Sequence, residues 1–227
     1  MIDVTLIGFG TVGRVVQDLF LMEQEFNFDA IVVSDGFENT IPKEFTNKVI
    51  SWDVFINSKP RNYFVCIGYQ DLNTRRQELF LSALSHGHNP ISFVHEKAFI
   101  SKSARVGKGV LVMPGVTLEN NSEIRNGTFV WSGSVVGHDS TIGAFSFISA
   151  NVSIGGGAKL GDNCLVGLGA TIGNRVLIGN RSLVGAGTLA THSLSNDSVL
   201  VRVDEKPLDW PSHEFLKLTN FDQGYGS

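Results

Sequence analysis

Cysteine, proline and charge are all scarce in this chain. Its two cysteines, Cys66 and Cys164, stand far apart; this excludes a disulfide framework and a Cys-rich zinc site, and it fits a reducing cytoplasm. Charged residues make up 18% of the chain, against roughly 25% in an ordinary soluble domain. No Lys/Arg block is present and the net charge is −4, so nucleic acid is not an expected partner. No apolar run approaches the roughly 18 residues of a membrane span, so no membrane contact is expected either. The first ten residues lack the basic start and cleavage site of a secretory leader, which again points to the cytoplasm. What the chain holds in excess is glycine, 25 residues against six prolines.

The glycines are concentrated. Seventeen of the 25 fall between Ile100 and Leu189, a stretch with only 11 charged residues. Reading every sixth residue from Ile100 through Val106, Val112 and Leu118 to Val184 meets only Ile, Leu or Val. The residue four further on is small or β-branched each time, from Ala104 to Thr188, and glycine follows the aliphatic residue in nine of the fifteen repeats. A period of six cannot keep one face of a 3.6-residue helix apolar. It suits a short strand followed by a tight turn, with the aliphatic side chain inward and glycine easing the corner. Three such units close a triangular coil, and five coils stack to roughly 24 Å at the usual strand spacing. The expected fold here is an all-β parallel β-helix over residues 96–198.

Residues 1–95 have α/β character. Val4–Ile7 reads as a buried strand, followed by Gly8, Gly10 and Gly13 and by an amphipathic helix to about Glu25. A second strand over Ala30–Val33 ends at Asp35, a third covers Tyr63–Gly68, and a charged helix is expected from about Asp71 to Ser85. Strand, glycines, helix, strand and acid form the dinucleotide fingerprint. Fewer than 100 residues hold only about half of a doubly wound sheet. That leaves three readings open: a single nucleotide with its phosphates over the helix N-terminus, a purely structural turn, or NAD. Beyond Ser198 the repeat stops. Residues 199–227 are expected to form a cap with a short helix over Phe215–Phe221 and a tail.

The repeat, aliphatic then often glycine with a small residue four on, resembles that of the hexapeptide-repeat acyltransferases. The resemblance implies a left-handed β-helix that assembles as a homotrimer. A small Rossmann-like nucleotide-binding parallel sheet ahead of it is similar to the sialic-acid O-acetyltransferase type. That type includes bacterial nucleotide-amino-sugar N-acetyltransferases of surface-polysaccharide (lipopolysaccharide, O-antigen) pathways. His138 is the single histidine among the fifteen repeats. On its own it reads equally well as an exposed surface residue. The run Val136-Gly137-His138-Asp139-Ser140-Thr141-Ile142-Gly143 resembles the family's catalytic motif, which implies His138 as general base and Asp139 as its partner.

The resemblance also implies a nucleotide-linked amino sugar as substrate, held by Gly8, Gly10, Asp35, Gly68, Tyr69 and Trp131. Arg75 and Arg76 fall in the second nucleotide-side element. It implies acetyl-CoA or a longer acyl-CoA as donor, with pantetheine along Gly156, Leu168 and Ala186, and no metal. An imidazole can take the proton of a sugar amine as it attacks the thioester. Three positions depart from the family: Val12 and Phe147 stand where it often has histidine, and Trp131 stands where it often has a small polar residue. Sugar O-acetylation on the same fold, and a non-catalytic nucleotide-sugar-binding relative, are the alternatives.

Overall fold

A computed structural model describes residues 1–23, 26–33 and 41–202. Asp35, the helix expected over 215–221 and the tail lie outside the described residues. The N-terminal unit is a parallel sheet of β1 (Ile2–Ile7), β2 (Phe26–Val32), β3 (Val49–Ile50), β4 (Asn62–Val65) and β5 (Asn89–Pro90), in the order β3-β2-β1-β4-β5. Five strands, two of them very short, exceed the half-sheet expected from the length. The chain runs from β1 outward to β2 and β3 and then crosses to β4, so the strand order reverses between β1 and β4. Open α/β sheets bind ligands at the carboxyl ends of strands at such a reversal.

Among the described residues, three α-helices flank the sheet: α1 (Thr11–Glu23), α2 (Trp52–Ile56) and α3 (Thr74–Ser85). Alternation along the strands divides the core into two layers. Leu6, Ile31, Phe64 and Cys66 point to one side, and Ile7, Val32, Tyr63 and Val65 to the other, where they meet Phe55 of α2 and Phe80 of α3. Helix α3 starts at Thr74 rather than at about Asp71, because Asp71, Leu72 and Asn73 all adopt positive φ, between 46° and 67°.

From Phe93 onward, two-residue strands stack in register as the three faces of a left-handed β-helix. Each aliphatic residue of the six-residue period from Val112 to Val184 is buried. The small residue four on is buried too. Where it is Ser or Thr, its hydroxyl is satisfied within the coil stack: Ser146 Oγ donates to the Gly161 carbonyl at 3.1 Å and accepts from the Cys164 amide at 3.0 Å. A buried hydroxyl without such partners would cost on the order of 1–3 kcal/mol.

The glycines divide into two classes, which corrects the single corner role expected for them. Every sixth residue from Gly109 to Gly187 has φ between 55° and 73°, the left-handed corner that glycine tolerates best. The glycine that directly follows the aliphatic residue is not among these. At Gly143 an added Cβ would meet the Gly161 backbone at 2.3 Å, so the position stays bare because the next coil lies against it.

The α/β unit docks on the face carrying Phe93, Leu111, Phe129 and Phe147, all buried. Phe64 of β4 stacks on Phe129 with ring centroids 5.5 Å apart. Arg76 is 1% exposed and sits 4.2 Å over the same Phe129 ring. Its guanidinium donates five hydrogen bonds, to the carbonyls of Gly127, Ile67, Gly68, Phe145 and Ser146. Burial pushes Arg76 down to about 9, which still leaves it charged at neutral pH. Among the described residues, no helix is long and apolar enough to cross a membrane.

Candidate active site

A cleft of about 510 Å³ opens at the strand-order reversal, above the carboxyl ends of β1, β2 and β4. Gly8, Phe9, Gly10 and Thr11 form its floor, Trp52 and Leu79 stand on its walls, Arg14 brings positive charge to it, and Arg75 lines it paired with Glu78 at 3.2 Å. The three glycines of the turn serve different needs. Gly8 has φ +89°, and a Cβ there would also strike Ile67 at 2.6 Å. Gly13 lets α1 approach the strand, since a Cβ would lie 3.1 Å from the Gly8 carbonyl oxygen. Gly10 has nothing within 4 Å of an added Cβ. The protein therefore has no internal steric need for glycine at 10, and the space it leaves belongs to the cleft. With the open N-terminus of α1 beside it, this is the geometry that accepts a phosphate.

Gly68 and Tyr69 follow β4 at the cleft's edge. The Gly68 carbonyl is used by Arg76, and Tyr69, largely exposed, meets Phe147 edge-on at 5.1 Å. Trp131 lies against the same Phe147 at 5.9 Å, with its indole Nε1 buried and unpartnered among the described residues. Phe147 is thus the centre of an aromatic seam between the two units. Val12 is buried beneath the glycine turn, and a Cβ added at Gly68 would lie 3.7 Å from its side chain. Arg76 points away from the cleft, into the interface with the β-helix. That corrects its expected place on the nucleotide side, while Arg75 does line the cleft.

His138 lies at a corner between two faces of the β-helix, with its side chain 65% exposed. Its Nδ1 is 2.8 Å from Asp139 Oδ2. Asp139 occupies the left-handed corner position at φ 59°, which aspartate tolerates better than most residues. Its second oxygen accepts from Asn121 Nδ2 at 3.1 Å. Hydrogen bonding from His138, then from Asn121, holds its carboxyl below the usual range. A carboxylate on Nδ1 keeps that nitrogen protonated and leaves the lone pair on Nε2. Gly156 lies directly under the ring, where an added Cβ would come within 2.5 Å of Nε2. The His138 amide donates to Glu119 Oε2 at 2.8 Å.

Of the three residues expected along pantetheine, Gly156 thus sits against the His138 ring. Leu168 and Ala186 stack one coil apart at a different corner, both exposed. The strands of one whole face separate the two corners within a single chain. Sequence reasoning missed Glu119, Asn121, Trp52 and Arg14. The first two precede His138 by about one coil, so the six-residue period itself could have pointed to them; Trp52 and Arg14 carry no comparable signal.

Residues 139–174 match the model described as bacterial transferase hexapeptide (six repeats). Among solved structures, a mutant of perosamine N-acetyltransferase from Caulobacter crescentus, in complex with CoA and GDP-perosamine, is similar at TM-score 0.78 and 28% identity, over 90% of this chain and 95% of that one. PerB from the same organism, in complex with the same two ligands, gives 0.77 and 29%, over 90% and 96%. The acetyltransferase domain of PglB from Neisseria gonorrhoeae shares the fold at TM-score 0.77 and 23% identity, over 91% and 99%. No curated protein sequence matches the chain. The repeat, the fold and these comparisons make the chain similar to the hexapeptide-repeat acyltransferases, a class of enzymes. Within that class the chain is similar to the bacterial sugar N-acetyltransferases that join a small α/β unit to a β-helix.

Proposed function

We propose that the chain is an acyl-CoA-dependent N-acyltransferase, with acetyl-CoA as donor, that acylates the amino group of a nucleotide-linked amino sugar. The observation that carries this reading is the His138–Asp139 pair, whose Nε2 stands over a glycine with no competing partner among the described residues. The sugar nitrogen attacks the thioester carbon as Nε2 takes its proton. The tetrahedral intermediate collapses with cleavage of the carbon–sulfur bond, and the imidazolium returns the proton to the departing thiolate. Asp139 stabilises the imidazolium, as an acid–histidine pair does in other acyl transfers.

Residues 1–95 hold the nucleotide, residues 96–198 carry the chemistry, and residues 199–227 form a terminal segment. The phosphates lie over Gly8 and Gly10, with Arg14 and Arg75 near them, and the sugar runs toward Tyr69 and Trp131. Asp35 keeps the ribose or base contact that the resemblance implies. The nucleotide is GDP, supported by the GDP-perosamine bound to the relatives of nearly 30% identity. Gly156 and the Leu168–Ala186 corner cannot meet within one chain. A neighbouring copy brings them together, so the working form is a homotrimer with pantetheine between subunits. The setting is the cytoplasmic stage of surface-glycan assembly.

The test is acetyl transfer from acetyl-CoA to GDP-, UDP-, dTDP- and CMP-linked amino sugars, followed by thiol release. The GDP-linked acceptor is expected to react fastest. His138→Ala is expected to lower the rate by at least about 100-fold, the usual span of general-base catalysis. An unchanged rate in His138→Ala would overturn the mechanism.

A further inference from the structure

At some corners of the β-helix, successive coils are tied by one recurring bond. A backbone amide donates to the side-chain oxygen 18 residues ahead: Lys108 to Asn126 at 2.9 Å, Ala144 to Asp162 at 2.7 Å, Gly156 to Asn174 at 2.9 Å and Asp162 to Asn180 at 2.8 Å. His138 has no such tie. The residue 18 ahead is Gly156, which has no side chain to offer and whose bareness makes room for the imidazole. The His138 amide turns instead to the coil before and donates to Glu119 Oε2 at 2.8 Å. The same earlier corner supplies Asn121, whose amide occupies Asp139 Oδ1 and leaves Oδ2 for the ring. Glu119 is itself fixed, its amide donating to the Val136 carbonyl at 3.0 Å and its carbonyl accepting from Ser122 Oγ at 2.7 Å.

We infer that Glu119, assisted by Asn121, is the positioning residue of the His138–Asp139 pair, taking the His138 amide where Gly156 offers no acceptor. The Glu119 carboxylate anchors the backbone from which the imidazole projects, and the Asn121 amide sets the carboxylate that holds Nδ1. Glu119 acts through His138 and needs no contact with either substrate. The catalytic part of this inference rests on the proposed role of His138 as base.

The experiment uses the full chain and two readouts. The first is the ¹⁵N spectrum of the His138 ring without substrate, which reports the tautomer and its pH titration. The second is kcat and KM for acetyl transfer from acetyl-CoA to GDP-perosamine. Glu119→Ala is expected to shift the tautomer ratio away from Nδ1–H and to lower kcat about tenfold, the order of one lost charge-assisted hydrogen bond; KM is expected to stay within about twofold. Glu119→Gln keeps an oxygen acceptor and should recover most of both. Asn121→Gly tolerates the left-handed φ, removes only the amide, and should reproduce the tautomer shift in a folded protein. An unaltered ring spectrum in both Glu119→Ala and Asn121→Gly overturns the inference. So does a kcat loss in Glu119→Gln as large as in Glu119→Ala. If the unmutated protein transfers no acetyl group, the functional reading fails, while the ring spectra still decide the role of Glu119.

Discussion

Two glycines with different neighbours show how little one residue type says about its job. Gly156 and Gly143 both lack a side chain because something occupies its place, but the occupants differ. Over Gly156 lies the exposed end of the His138 ring; against Gly143 lies the fixed backbone of Gly161. Gly156→Ala should therefore cost activity and little stability, since the ring can swing into solvent. Displacing a reacting group by about 1 Å is enough for a loss near 100-fold. Gly143→Ala should do the reverse and destabilise by about 1–3 kcal/mol, as overpacking does. Melting temperatures and kcat measured on the two variants separate the cases. Asp139→Asn keeps a residue suited to the left-handed corner but exchanges the carboxylate that fixes Nδ1 for a neutral amide, whose NH2 can face the ring. It should lower kcat by about 100-fold or more while the melting temperature holds, because the wrong ring tautomer is then allowed.

At the scale of elements, α3 joins the two units through one buried side chain. Arg76 satisfies five carbonyls drawn from both units, so no shorter or less branched cation can replace it. Arg76→Lys offers three donors and leaves at least two carbonyls unmet. A loss of about 2–5 kcal/mol is expected, together with separate unfolding of the α/β unit ahead of the β-helix in calorimetry. A single unchanged transition would contradict this.

The repeat was readable from the sequence because each coil is a local object: its inward residue and its left-handed corner recur at fixed spacing, and both leave a compositional trace. The glycine turn and its cleft were readable for the same reason, being one strand, one loop and one helix. Arg76 was not, because an arginine on a charged helix looks solvated until a face some 50 to 70 residues away closes over it. Helix α3 was expected three residues too early because nothing in Asp71-Leu72-Asn73 forbids helix. Docking against the β-helix holds that turn open, with Asn73 Nδ2 on the Cys164 carbonyl at 3.2 Å.

For the whole molecule, pH acts through a buried group far from the chemistry. His88 stacks on Phe55 at 4.2 Å and accepts from the Arg61 amide through Nδ1, and burial lowers its pKa. A base held below its ordinary value binds fewer protons folded than unfolded. Stability is therefore complete above the unfolded value of about 6.5 and falls as pH drops below it, by at most about 1.4 kcal/mol per pH unit. Urea midpoints at pH 7.5 and 5.5 should show this drop, and His88→Leu should flatten it. The coil ties carry a consequence for length. Because each links residues 18 apart, the β-helix is built in whole coils, like courses of brick. Excising one whole course, residues 171–188, removes Ala186 but returns every remaining strand to the same face, and should leave a shorter folded protein. Excising only six residues would turn all that follows by a third of a revolution, setting outward charges of one face beneath the apolar ladder of another.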